Sequence, residues 1–161
     1  MTHETLNPAE LRRVFGAFPS GVAAIAALID GAPVGIAASS FTSVSLDPPL
    51  VSVCVAHTST TWPLLRDAPR FGVSVLAADQ AEAGRQLAAR NADRFANLNL
   101  RVTADGAVLL EGASAWLDCS THAVHPCGDH DIIVLRVHDL DADHAVWPLV
   151  FHASKFHRLQ A

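Results

Sequence analysis

The chain has 161 residues, of which 50% are apolar and 17% charged, with a formal net charge of −5. That length can bury a core without disulfides or metal, and the composition excludes a disordered chain. No run of Lys or Arg occurs, so no nucleic-acid partner is expected, since affinity for a phosphate backbone rests on clustered positive charge.

One domain is expected over 1–161, with its core at about 11–159. The first residues, "MTHETLNPAELRR", carry acids and a proline where a secretory leader needs a basic start and an apolar run. The longest apolar stretch, 22–29, is eight residues, too short to span a bilayer. Three cysteines are an odd count, and disulfides do not persist in reducing cytosol. A cytoplasmic protein with no membrane partner is the expectation.

The first predicted element is a helix over "LNPAELRRVFGAF". Asn7 can cap it, Pro8 suits the first helical position and Glu10 stands where a capping box wants a carboxylate. Leu11, Val14, Phe15 and Phe18 then form one apolar stripe. "VAAIAALI" turns at Asp30-Gly31 into "APVGIAA", a hairpin signal. Further strands are predicted over 49–56, 70–77, 114–124, 131–140 and 147–152. Helices are predicted over 60–67 and 79–90, the second opened by an Asp79 cap. Six or seven strands with hairpin-like spacing and two or three short helices predict an antiparallel barrel with helices packed outside it. The β-α alternation of a doubly wound sheet is missing, as are glycine-rich nucleotide fingerprints.

Chemistry concentrates in three places. In "ASSFTSVSLDPP" (38–49), Ser39, Ser40, Thr42, Ser43 and Ser45 gather around Phe41 on what reads as a connection between strands. Such a loop offers backbone N–H groups and small hydroxyls to a flat ligand such as a flavin, or it is a solvated turn bonding its own backbone. "HTSTTW" (57–62) follows the next strand, where hydroxyls at a helix N-terminus suit a phosphate or simply cap the helix. "PCGDHDIIVLRV" holds His130 between two aspartates at a strand mouth, placed for a substrate or for an ordinary turn. Cys119, His122, His125, Cys127 and His130 fall within twelve residues. No metal is expected there, because Cys119 and His122 would face opposite sides of a strand and the paired spacing of structural zinc is missing. A hydrolase triad has no G-x-S-x-G elbow to rest on.

The ordered series "FPSGV", "PVGIAASSFTSVSLDPPLVSV", "TSTTW", "RFGVSVLAADQ", "DRF", "LLEGASAWLDC", "GDHDIIVLRV" and "PLVFH" resembles the flavin reductase-like family over about 11–159. Its most specific pieces are the S-F-x-S-V-S-L-x-P-P run and the G-D-H triplet. The resemblance implies a mainly β split barrel with flanking helices. It implies an NAD(P)H-dependent flavin reductase that is a homodimer binding FMN or FAD near the subunit interface. Ala38, Ser39, Ser40, Phe41, Thr42 and Ser43 would hold the isoalloxazine, and Ser59 with Thr61 the phosphate. Arg94 and Phe95 would approach the phosphate or adenylate side. Gly128 and Asp129 would place His130 against the nicotinamide of NADH or NADPH. A hydride then passes to flavin N5, and reduced flavin leaves for a separate oxygenase component.

Departures are local. The tail reads "FHASKFHRL" where many relatives have Y-H-x-G-R-Y, and the chain has no tyrosine. Val108 stands where many have proline, and His122 and His125 have no implied role. Two other functions stay open on these residues: a flavoprotein that retains its flavin and acts on an organic substrate, and a non-enzymatic flavin- or haem-binding protein.

Overall fold

Helix α1 (Pro8–Phe15) begins as its punctuation requires: the Asn7 side chain accepts the Ala9 N–H at 2.8 Å, and Pro8 opens the first turn. The computed structural model describes residues 5–90 and 93–160. Glu10 does not close a capping box. It takes two hydrogen bonds from Arg13, one turn on, at 2.9 and 2.6 Å. The helix stops at Phe15, and its apolar stripe lies uncovered, with Phe15 70% and Phe18 79% exposed.

Strand β1 (Ser20–Gly21) leads into β2 (Ala23–Ile29) and β3 (Ala32–Ala38). The predicted hairpin forms because Asp30 and Gly31 both adopt positive φ, 50° and 81°, which a two-residue turn of this hand requires. The hydroxyl-rich segment departs from expectation. Only Ser39–Phe41 is a connection. Strand β4 (Thr42–Leu46) follows and pairs with β5 (Pro49–Ala56) across a turn with a cis Asp47–Pro48 bond. The pairing with β5 is interrupted by a bulge between Ser43 and Ser45, and the polar, largely exposed segment hid the strand.

Helix α2 (Trp62–Leu65) is four residues rather than the eight predicted over 60–67. Strand β6 (Phe71–Val75) precedes α3 (Ala81–Ala88), which Gln80 opens in place of Asp79 and Ala89 ends in extended backbone. A short hairpin, β7 (Leu100–Val102) and β8 (Val108–Leu110), was not expected. Two 13-residue strands follow, β9 (Ala115–Cys127) and β10 (His130–Ala142). Strands β11 (Leu149–His152) and β12 (Lys155–Arg158) close the chain.

The main sheet is antiparallel throughout, with seven strands ordered β3-β2-β6-β9-β10-β5-β4, and β1-β11-β12 form a smaller sheet beside it. Two cores share strand β2. Ile25 points into the first with Val53, Phe71, Ile133 and Leu135, and Trp62 of α2 stacks on Phe71 at 5.9 Å. Ala24 and Ala26 point the other way, toward Leu76, Leu87, Val108 and Leu149. Alternation along one buried strand therefore serves both layers, and small alanines let α3 and β8 come close.

Gly72 on β6 marks the tightest approach. A Cβ there would overlap the backbone carbonyl of Val108, which has no flexible end to move aside. Gly72→Ala is expected to destabilise the fold by about 3 kcal/mol, within the usual cost of overpacking a core. Urea unfolding checks this, and an unchanged midpoint would contradict it.

Candidate active site

Ser39–Phe41 is shaped by one side chain. Ser40 Oγ accepts the Cys54 N–H at 2.9 Å and donates to the Cys54 carbonyl at 3.2 Å, stapling the loop to β5 where strand pairing has lapsed. Phe41 packs against the first core. Thr42 and Ser43 sit on β4 opposite Ser52 and Val51, both exposed. Ala38, Ser39 and Ser40 line a recess of about 320 Å³ together with Cys54, Ser59 and His130.

That recess adjoins a larger cavity of about 590 Å³, sharing Ile36, Ala37, Ala56 and Ser59 with it. Thr58, Ser59, Thr60, Thr61, Arg90 and Arg94 supply its polar lining, and no carboxylate is among the described residues that line it. Helix α2 is too short to provide a useful dipole, and Ser59 Oγ accepts the Trp62 N–H at 3.1 Å as a local cap. Positive charge comes from the two arginines instead. Arg94 is fixed by three bonds: Nη1 to the Gly35 carbonyl at 2.9 Å and to Thr61 Oγ1 at 3.0 Å, and Nε to the Ala89 carbonyl at 3.0 Å. Phe95 turns away into the second core against Gly35, where a Cβ would meet its ring at 2.8 Å. Phe95 therefore lines none of this groove.

His130 opens β10, opposite Ala56 of β5 and Cys127 of β9. Gly128 makes the turn at φ 66°. Asp129 Oδ1 lies 2.7 Å from His130 Nδ1, so Nε2 is the nitrogen left for a ligand. The hydrogen bond and charge of His130 hold the exposed Asp129 carboxyl below its ordinary value. That preference for the ionised carboxylate is lost as pH falls through the lowered pKa.

Two further groups brace the same turn. His57 Nε2 lies 2.8 Å from Asp131 Oδ1, and the His57 N–H donates to the Asp129 carbonyl at 2.9 Å. Neither His57 nor Asp131 was singled out from the sequence, and neither was Arg90. The available signal was position: His57 directly follows β5 just as His130 begins β10, and Arg90 stands four residues before Arg94.

The cysteine and histidine cluster is dispersed. Cys119 is fully buried, and burial first, then the Asp118 charge, push its thiol up to about 12. His122, His125 and Cys127 are exposed along β9. Among the described residues, no three His, Cys, Asp or Glu side chains come together as metal ligands.

The arrangement is thus a ring-sized polar recess lined in part by a histidine, next to a cationic, hydroxyl-lined cavity. It suits a flat heteroaromatic group carrying phosphate. Residues 15–160 match the model of the flavin reductase like domain. The chain belongs to the flavin reductase-like family. It is 37% identical to a flavin reductase of Pseudomonas putida, over 97% of this chain and 92% of that protein. It is 36% identical to the reductase subunit of a flavin-dependent monooxygenase from Rhodococcus jostii, over 95% of this chain and 78% of that one. The NADH:FAD oxidoreductase SgcE6 of Streptomyces globisporus, solved with NAD and FAD fragments, superposes with a TM-score of 0.89 at 37% identity, covering 98% of this chain and 97% of that one. The fold is accordingly the family's split β-barrel, mainly β with flanking helices, as the resemblance implied.

The Ser40 staple can be tested on its own. Ser40→Ala is expected to cost about 1 kcal/mol, the usual worth of such hydrogen bonds, and to speed amide exchange at Cys54. Unchanged exchange at Cys54 would show that the loop does not depend on this hydroxyl.

Proposed function

We propose that this chain is an NAD(P)H-dependent flavin reductase that hands reduced flavin to a separate oxygenase component. The observation that carries the reading is the adjacency of the His130 recess to the cavity lined by Arg90, Arg94 and four hydroxyls. A flavin has a ring edge rich in hydrogen-bonding heteroatoms and an anionic phosphate, and this donor set matches both. When bound, FMN or FAD supplies the acceptor for a hydride from NADH or NADPH.

The chain's own residues bind and place. Ala38, Ser39 and Ser40 present the ring edge with backbone groups and a hydroxyl, while Phe41, Thr42 and Ser43 secure the loop behind them. Ser59, Thr61 and Arg94 hold phosphate, with Arg90 adding charge. His130 meets the nicotinamide through Nε2, oriented by Asp129 and the Gly128 turn. Phe95 acts from behind, backing Gly35. No activated nucleophile is required, because bringing two rings into contact is the protein's task.

The reading includes one domain, a cytoplasmic location and a homodimer. No helix among the described residues is long and apolar enough to cross a membrane. Support for the dimer lies on β4, an edge strand whose Val44 and Leu46 are 53% and 95% exposed. An uncovered edge with apolar side chains is a surface that proteins normally cover. Sedimentation is expected to give twice the 17.0 kDa chain mass, and Leu46→Asp to shift it toward the monomer. A wild-type monomer at micromolar concentration would remove this part of the reading.

The enzymatic part is checked by NADH and NADPH oxidation with and without added flavin. Turnover that depends on added flavin is expected. His130→Ala should lower kcat/KM for the nicotinamide nucleotide by about tenfold, near 1.4 kcal/mol, while flavin affinity stays within about twofold of wild type. Loss of flavin binding with nicotinamide use intact would reverse the assignment of His130.

A further inference from the structure

The groove does not end at the arginines. A third cavity, of about 150 Å³, shares Ala37 and Ala88 with the cationic cavity and Ala37, Ala38 and Ser39 with the His130 recess. Its walls differ from both. Val22, Phe151 and Phe156 supply apolar surface, and the two phenylalanine rings stand 5.5 Å apart, tilted by 57°, as an aromatic corner. Both rings are half-buried. The Arg85 guanidinium lies 5.3 Å from the centre of the Phe156 ring, a cation–π contact that holds it in place.

Gly84 of α3 forms the remaining wall. Glycine is unfavourable inside a helix relative to alanine, and here a Cβ would press to 3.2 Å from Phe156 Cζ. Glycine at this position leaves the corner open.

We infer that this aromatic corner seats the adenine ring of a flavin dinucleotide, which makes FAD rather than FMN the flavin that this chain binds best. The inference rests on the flavin reading above. A dinucleotide is two ring systems joined by a diphosphate. The chain offers three mutually adjoining cavities: a polar recess, a cavity with two arginines and four hydroxyls, and an apolar corner that meets the second through Ala37 and Ala88 and the first through Ala37, Ala38 and Ser39, so that a dinucleotide would fold back on itself. The isoalloxazine, with its heteroatom edge, suits the polar recess. Adenine is thin, flat and stackable, and suits the corner between two phenyl rings. FMN ends at its phosphate and leaves the corner unused.

Titration calorimetry of FMN and FAD with the wild-type chain, Phe156→Ala and Gly84→Ala tests this, with circular dichroism checking the fold. Wild type is expected to bind FAD on the order of tenfold tighter than FMN, the usual effect of stacking one base on an aromatic ring. Phe156→Ala should remove that advantage and leave FMN binding unchanged. Gly84→Ala favours the helix and narrows the corner, so it should weaken FAD selectively even if Phe156→Ala fails to fold. Equal affinities in the wild type, or equal losses for both flavins in the variants, would overturn the inference while flavin binding itself survives. A rise in KM for NADH at saturating FAD, with FAD affinity unchanged, would also overturn it by giving the corner to the nicotinamide nucleotide's adenine. A wild type that binds neither flavin would refute the flavin reading, and the inference with it.

Discussion

Arg94 is the constraint on which the site depends. Its guanidinium joins the Gly35 carbonyl on β3, the Thr61 hydroxyl before α2 and the Ala89 carbonyl after α3. Those three elements are the walls of the cationic cavity. Without that cation the walls would have no common partner, and the carbonyls of Gly35 and Ala89 would lose these bonds in a half-buried setting. On the proposed reading, the same charge that organises the walls also attracts the anion.

The groove exists because residues around it are small. Gly35 admits the Phe95 ring behind the strand, and Ala37 stands where all three cavities meet. Strand β2 repeats the theme, with alanines facing α3 and Ile25 facing the first core. Close approach of sheet and helix leaves polar loops at the rim and apolar surface beneath. At that rim the 128–130 turn is braced twice, by Asp129 on His130 and by Asp131 on His57. The brace fixes His130, which lines the recess.

Much of the fold was legible in the residues themselves. Asn7-Pro8 announces α1, Asp30-Gly31 announces its hairpin, and alternating apolar residues announce β5, β6, β9 and β10. Short strands such as β1, β7, β8 and β12 were not, because two to four residues carry too little periodicity to read. The hydroxyl run shows a different limit. Composition marks Ser39, Ser40, Thr42 and Ser43 as equivalent, and only the register of β4 against β5 separates the stapled Ser40 from the exposed pair that follows. Phe95 was legible as a neighbour of Arg94, but its burial follows from Gly35, distant in the chain. His57 and Asp131 escaped for the same reason: each has the other as its partner, 74 residues away in the chain. The family resemblance reached the architecture. Local sequence could not tell which side chains face the groove and which support it.

The most direct measurement is a crystal structure of the chain with bound FAD. The expected result places flavin phosphate oxygens at hydrogen-bond distance, about 3 Å, from Arg94 and the hydroxyls of 58–61, with the isoalloxazine against Ser39, Ser40 and His130. Phosphate bound elsewhere, with the cationic cavity left to solvent, would contradict the assignment of this groove as the flavin site.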